Sequence, residues 1–475
     1  MGCRPIRERW FAVSAVRSIT CVFLLSLAVH LAAQADRRTA QETLDSEFQS
    51  AMAARDHGDL DRAKTILLDL HRRRPDNFAV SESLGLIYVS QKKYADALPL
   101  LQGAVREQPS SDAAHANLGA DYFKLKRSKQ ALEEYTVAAR LNPKNPATQQ
   151  GLGELLLDAG KPALAAEAFN AALAGNPNDS DLEMSLATAL VAAHDFDSAK
   201  TVLGKLPDID TSADIQVLFG QAAEGKGNAL AAARHFQRAV DLEPTEEHVW
   251  MLGVEFLRHW TFDAAVPEFE AGAQKFPAST RMKVALGASY FGNAKYDEAI
   301  PVFARLLEND KDNALYAEFL GMACNAVTQS AKTQCSSLIT YAQTHPRDAK
   351  AATYAASLLL TETAGEPKTD QARALLTHAI AVNPHFADAQ YQMGLLKQED
   401  GDWRGSIPNL ESAVKMKPDL AEAHYRLALA YWRAGRKDEA QAQMALQKQY
   451  SHQQRQDLDR RLRQITTFLV TVKGQ

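Results

Sequence analysis

The stretch Asp112–Asn145, DAAHANLGADYFKLKRSKQALEEYTVAARLNPKN, decides the fold. Leu118 and Gly119 are followed by Tyr122, and further on Ala131, Tyr135 and Ala138 recur at spacings of four and three. Both spacings gather apolar residues on one face of an α-helix. A basic run over 124–129 separates the two patterns. Pro143 has no N–H and disfavours helix at Asn142, so the second helix stops there. The stretch therefore predicts two short amphipathic helices closed by a proline, with small residues where the helices approach each other.

The same pattern returns along nearly the whole chain. Gly85, Gly119 and Gly153 fall 34 residues apart, as do Pro75, Pro109, Pro143 and Pro177. Gly220, Gly253, Gly287 and Gly321 follow at steps of 33, 34 and 34. A fixed period of this length means stacked supersecondary units, none of which buries its apolar face alone.

These residues resemble the tetratricopeptide repeat (TPR) family. That pattern has Leu-Gly-x-x-Tyr in the first helix (A), Ala, an aromatic and Ala in the second (B), then Pro. Leu118, Gly119, Tyr122, Ala131, Tyr135, Ala138 and Pro143 match it throughout. Leu252, Gly253, Phe256, Ala265, Phe269 and Pro277 follow it with Gly272 in place of the last alanine, and Leu286, Gly287, Tyr290, Ala299 and Phe303 match its first five places. The resemblance covers roughly 44–454. It implies an all-α solenoid, a right-handed superhelix of about twelve hairpins, whose helix A residues line a concave surface.

The expected organisation follows from the register. Residues 1–35 carry Arg4, Arg7, Arg9 and Arg17, then the apolar run Ile19–Ala33, then Ala33-Gln34-Ala35. That basic, apolar, small order is the order of a secretory signal, with cleavage expected after Ala35. The alternative is an uncleaved membrane anchor, although the run is short of the roughly 20 residues a spanning helix needs. Residues 36–43 read as a polar link, 44–313 as repeats 1–8, 314–386 as irregular repeats 9 and 10, 387–454 as repeats 11 and 12, and 455–475 as a capping helix and tail. The lengthened turn Thr361–Asp370 belongs to the irregular zone. Pro99, Pro267, Pro301 and Pro408 share one place early in helix B, where the first-turn N–H groups lack partners in any case. Within the mature chain the antiparallel hairpin of repeat 9 would bring Cys324 and Cys335 face to face, so export would favour a disulfide there; two buried thiols are the other reading.

The chain has 475 residues and a net charge of −5, and without the first 35 residues the balance is −8. Such a surface repels nucleic acid and anionic lipid. No chemistry is expected. Gly220–Gly227 nearly spells a phosphate-binding loop, but Gly227 stands where magnesium needs a hydroxyl, and the context is a helix end rather than a strand. Histidines and cysteines show no metal spacing, no Gly-x-Ser-x-Gly is present, and no cofactor is implied. The sequon at Asn178–Ser180 is short enough to arise by chance. A carboxylate clamp of the kind found in chaperone-binding TPRs is not matched, because Glu82, Leu86, Ala147 and Gly151 accompany Asn117 at the required places.

In the register of the resemblance, the second, fifth, ninth and twelfth places of each repeat face inward. They hold Phe123, Trp250, Phe291, Tyr391, Tyr425 and Trp432, interleaved with Glu82, Glu154 and Glu224, while bases are few. Concave aromatic anchors are the usual material of binding hot spots. The expectation is a non-catalytic scaffold outside the cytoplasm holding a basic or apolar segment of a protein partner. The rival readings are a membrane-tethered assembly factor or co-subunit of envelope polysaccharide, pilus or secretion machinery, and a nucleotide-dependent enzyme.

Overall fold

The computed structural model describes residues 41–327, 332–361 and 366–473. The leader-like segment 1–35 and most of the expected link lie outside the described residues, as do the tip of the repeat 9 turn and 362–365. All regular structure among the described residues is helical. The chain divides into two compact units, 1–202 and 203–475, with the boundary inside the short helix Phe196–Leu203 of repeat 5. Each unit is a run of hairpins in which helix A and helix B pack on each other and on the next hairpin in sequence.

Three local devices set the hairpin. Helix A is capped at its N-terminus by a short polar side chain in eight successive repeats: Asn77, Ser111, Asn145, Asp179, Ser212, Thr245, Ser279 and Asn313 each accept from the backbone N–H three residues on. Each such cap is worth about 1 kcal/mol. In repeats 1–8, 11 and 12 the turn between the helices is closed by one residue in the left-handed region, at the fifteenth place. Glycine fills it at Gly58, Gly160, Gly227, Gly401 and Gly435, and Lys92, Lys126, His194, Trp260 and Ala294 fill it elsewhere. Finally, a glycine of helix A faces a ring of helix B so closely that a Cβ at Gly119 would stand 2.8 Å from Tyr135. Tyr135 also reaches forward, 2.7 Å from where a Cβ of Gly151 in the next repeat would be. One ring thus fills both the hairpin and the junction.

Polar pairs recur between hairpins as well. The fourth place of helix A sends a His or Gln to the closing segment of the preceding repeat: His115 Nε2 lies 3.1 Å from the Pro109 carbonyl, Gln149 Nε2 donates to the Pro143 carbonyl at 2.9 Å, and His424 Nε2 lies 2.8 Å from the Pro418 carbonyl. Tyr290 and Tyr431 at the eleventh place donate to Glu270 and Glu411 of the preceding helix B, both at 2.6 Å. These side chains satisfy groups that stacking would otherwise bury without partners.

Several expectations need correction. Helix A of repeat 1 is already formed at residue 41, so 41–43 are not link. Pro99, Pro267, Pro301 and Pro408 are not in the first turn; each is the sixth residue of its helix B. Those helices begin earlier than the pattern suggests. The carbonyls freed by the missing N–H belong to Ala95, Asp263, Asp297 and Arg404, which are exposed, so water can satisfy them. Part of the expected long turn is helix, because Glu366–Val382 starts before Asp370. The segment after 454 is not a separate capping helix. Helix B of repeat 12 runs unbroken from Lys437 to Lys473, and it also touches helix B of repeat 6, Ala229–Leu242.

Repeat 9 departs most from the pattern. Its helix B is replaced by a 3-10 segment, Lys332–Cys335, and a nine-residue helix, Ser336–Thr344. The ring against Gly321 comes from Tyr354 in helix A of repeat 10, where a Cβ would meet it at 2.6 Å. Cys324 and Cys335 are joined, with their Cα atoms 6.1 Å apart.

Candidate partner-binding surface

Helix A presents its second, fifth, ninth and twelfth places on one side because these spacings return to one helical face. In the first unit this side carries Glu82, Phe123 and Glu154. Glu82 is half-buried and accepts from Asn117 Nδ2 of the next repeat at 3.1 Å, and burial holds its carboxyl above the ordinary range. Phe123 is partly covered and packs on the cluster of Leu118 and Tyr122, with Lys124 5.7 Å from its ring centre. Glu154 is exposed and accepts from Gln150.

In the second unit the aromatic places divide into two kinds. Trp250 packs edge-on against Phe269 and lies under the guanidinium of Arg281, 5.3 Å from its ring centre. Phe291 packs edge-on against Tyr296 and Phe319. Tyr391 packs on the last apolar cluster, and burial pushes its hydroxyl pKa upward. These three rings serve junctions between repeats. Tyr425 and Trp432 do not: they are 43% and 63% exposed.

The acids on this side are largely engaged across junctions. Arg258 of repeat 7 pairs with Glu224 of repeat 6. Arg281 holds Glu246 at 2.6 Å and Glu247 at 2.8 Å, and Lys350 holds Glu318 at 2.7 Å. The sequence suggested an acidic lining with few bases, and the bases of one repeat neutralise acids of the repeat before it. Spacing in one helix does not reveal that pairing, because the partners are about 34 residues apart.

The near phosphate loop is a helix end. Gly220 faces Phe236, Lys226 caps helix A of repeat 6, and Gly227 is the left-handed turn residue. Among the described residues no group of side chains is arranged to hold a metal ion, and no helix is long and apolar enough to cross a membrane.

Two family models, both described as tetratricopeptide repeat, match the chain, one over 88–155 and 156–219, the other over 48–112, 251–314, 284–326 and 391–451. Together they span more than half of its length. No curated protein matches it. Among solved structures the chain is similar to that of Naa15/Naa10 bound to HypK-THB, at 15% identity and TM-score 0.38, over 85% of this chain and 68% of that one. It is also similar to YrrB, described as a TPR protein with an unusual peptide-binding site, at 20% identity and TM-score 0.36, over 38% and 94% of the two chains. Pseudomonas aeruginosa pilF stands at 19% identity and TM-score 0.35, over 44% and 95%. With hairpins, register and family models in agreement, the chain belongs to the tetratricopeptide repeat family, an all-α solenoid of the kind that serves as a protein-interaction scaffold.

Proposed function

We propose that the chain is a non-catalytic scaffold working outside the cytoplasm, and that the helix A side of its C-terminal repeats holds a basic or apolar segment of a partner protein. The observation that carries this reading is the exposure of Tyr425 and Trp432 on repeat 12, beside the exposed Glu422. Large rings left in water lose the free energy that burial would return, and aromatic anchors beside an acid suit an apolar segment with positive charge. Export is supported by the order of residues in 1–35 and by the Cys324–Cys335 bond, since disulfides persist in oxidising compartments. The negative balance of the remaining chain disfavours nucleic acid as the partner.

Crosslinking capture from native extracts tests the surface, with wild type compared against a Tyr425→Ala, Glu422→Lys variant. Loss of a captured protein in the variant is expected; identical captures would overturn the assignment. N-terminal sequencing of the purified protein tests export. A chain beginning at Asp36 is expected, whereas retained Met1 would make the same scaffold membrane-tethered.

A further inference from the structure

The turns of repeats 2–4 carry a charge that runs against the balance of the chain. Each turn between helix A and helix B occupies the thirteenth to eighteenth places, here residues 90–95, 124–129 and 158–163. Together they hold seven bases and one acid, Asp158, in a chain of net charge −5. Lys92 and Lys93 come from repeat 2, Lys124, Lys126, Arg127 and Lys129 from repeat 3, and Lys161 from repeat 4; all seven are exposed. The turn itself does not call for bases, because the same places hold three acids in repeat 1, and three acids with one base in repeat 11. All three basic turns belong to the first unit, where successive hairpins pack on each other, so they line one edge at the spacing of packed helices, about 10 Å.

These charges are not spent inside the fold. Among the described residues none of the seven bases is in an ion pair, whereas Arg258 and Arg436, at the turns of repeats 7 and 12, are paired with acids. The acids of the neighbouring repeat 1 turn are engaged within their own repeat: Asp56 with Arg55, Asp59 as the cap of helix B, and Asp61 with Lys64 at 2.8 Å. Backbone strain is a separate observation. Lys92 and Lys126 have φ of 59° and 60°, at the place that glycine fills in repeats 1, 4, 6, 11 and 12. A side chain strains that conformation and glycine does not, so two adjacent turns keep a lysine where closing the turn would favour its removal. Apolar side chains stand among the bases. Phe123 and Leu125 are partly covered beside the lysines of repeat 3, and Leu164, just past Lys161, is 48% exposed.

We infer that this edge docks a short acidic segment of a second protein, with an apolar residue among its acids. About six to eight extended residues reach across the roughly 20 Å between the first and third turns. A slender segment fits better than a broad anionic surface. A membrane or a nucleic-acid duplex would also approach the acids that make the rest of the chain negative, whereas screening over about 10 Å lets a single segment feel mainly the edge. The scaffold then has two surfaces of opposite preference, an acid-binding edge in its first unit and the Tyr425 and Glu422 surface in its second, and it joins two partners.

The test follows the fluorescence anisotropy of a labelled peptide of about eight residues, glutamates and aspartates around one phenylalanine. Saturable binding that weakens with salt is expected. A Lys92→Gly, Lys126→Gly variant removes two charges and relieves two strained turns, so it should melt no lower than wild type while binding the peptide roughly tenfold more weakly. The Tyr425→Ala, Glu422→Lys variant should bind this peptide as wild type does, so the two surfaces stand or fall separately. Phosphatidylglycerol vesicles and a DNA duplex serve as competing probes. An absence of saturable peptide binding, an affinity unchanged in the glycine variant, a loss of binding in the Tyr425→Ala, Glu422→Lys variant, or tighter lysine-dependent retention by vesicles or duplex would each overturn the inference.

Discussion

At Gly253 a Cβ would stand 2.4 Å from the ring of Phe269, which is itself fully buried. The hairpin has no slack there, so Gly253→Ala should cost about 1–3 kcal/mol, read as a lower denaturation midpoint. The converse holds at Ala294, whose φ of 55° places an alanine in the left-handed region. Ala294→Gly relieves that strain while adding freedom to the unfolded chain, and a net gain of about 0.5–1 kcal/mol is expected by the same measurement. Two buried acids make stability depend on pH. Burial pushes Asp121 up to about 6 and Glu255 up to about 7. Neither oxygen of Asp121 has a hydrogen-bond partner among the described residues. Glu255 has His259 Nε2 at 3.3 Å and Arg258 at 3.9 Å, and Arg258 is already engaged with Glu224. Between the ordinary carboxylate range and these raised values the folded chain holds more protons than the unfolded one, so stability falls as pH rises through that window. Glu255→Gln should therefore raise the melting temperature at pH 8, by roughly 1–3 kcal/mol in free energy, and change it little at pH 4. Equal shifts at both pH values would show that the carboxyl is not the source.

Within single elements, repeat 9 shows what happens when the pattern is broken. Its short second helix covers less of helix A than its counterparts do, and Tyr354 of the following repeat takes the position against Gly321. The Cys324–Cys335 bond closes a loop of eleven residues across this weak hairpin. By loop length such a bond contributes up to about 3 kcal/mol. Cys335→Ala is expected to lower unfolding stability by about 2–3 kcal/mol, and wild type in strong reductant should match the variant in urea titration. If reductant leaves the wild-type curve in place, the bond carries no stability. The hairpin period and the site of this bond were legible in the sequence because they depend on local spacing. The proline positions were misread, because a helix start is set by capping and by the turn residue rather than by where apolar periodicity begins. The eight caps were readable from Asn77, Ser111, Asn145 and their successors, all one residue before helix A, had that place been compared across repeats.

Over the whole chain, the register made the fold legible, while the candidate surface was only partly so. Trp250, Phe291 and Tyr391 stand at the expected places, yet they pack on neighbouring side chains. Whether a ring at a given place is free depends on the size of the residues beside it in the next hairpin, which a single-repeat pattern does not contain. The pairing of Glu224, Glu247 and Glu318 with bases one repeat later was hidden for the same reason. That dependence on neighbours also governs stability. In a solenoid each hairpin gains its free energy from itself and from the two beside it, so damage should remain local. Ala131 is fully buried between the helices of repeat 3, and Ala131→Leu should overpack that hairpin by about 1–3 kcal/mol. Because every 1.4 kcal/mol is a factor of ten in an opening equilibrium, amide exchange in repeats 2–4 should quicken by roughly ten- to hundredfold. Repeats 10–12 should keep their wild-type exchange in the same experiment, since nearest-neighbour coupling confines the damage to the hairpins beside the altered one. Uniform acceleration along the entire chain would instead mean that all the hairpins unfold together, and the nearest-neighbour account would fail.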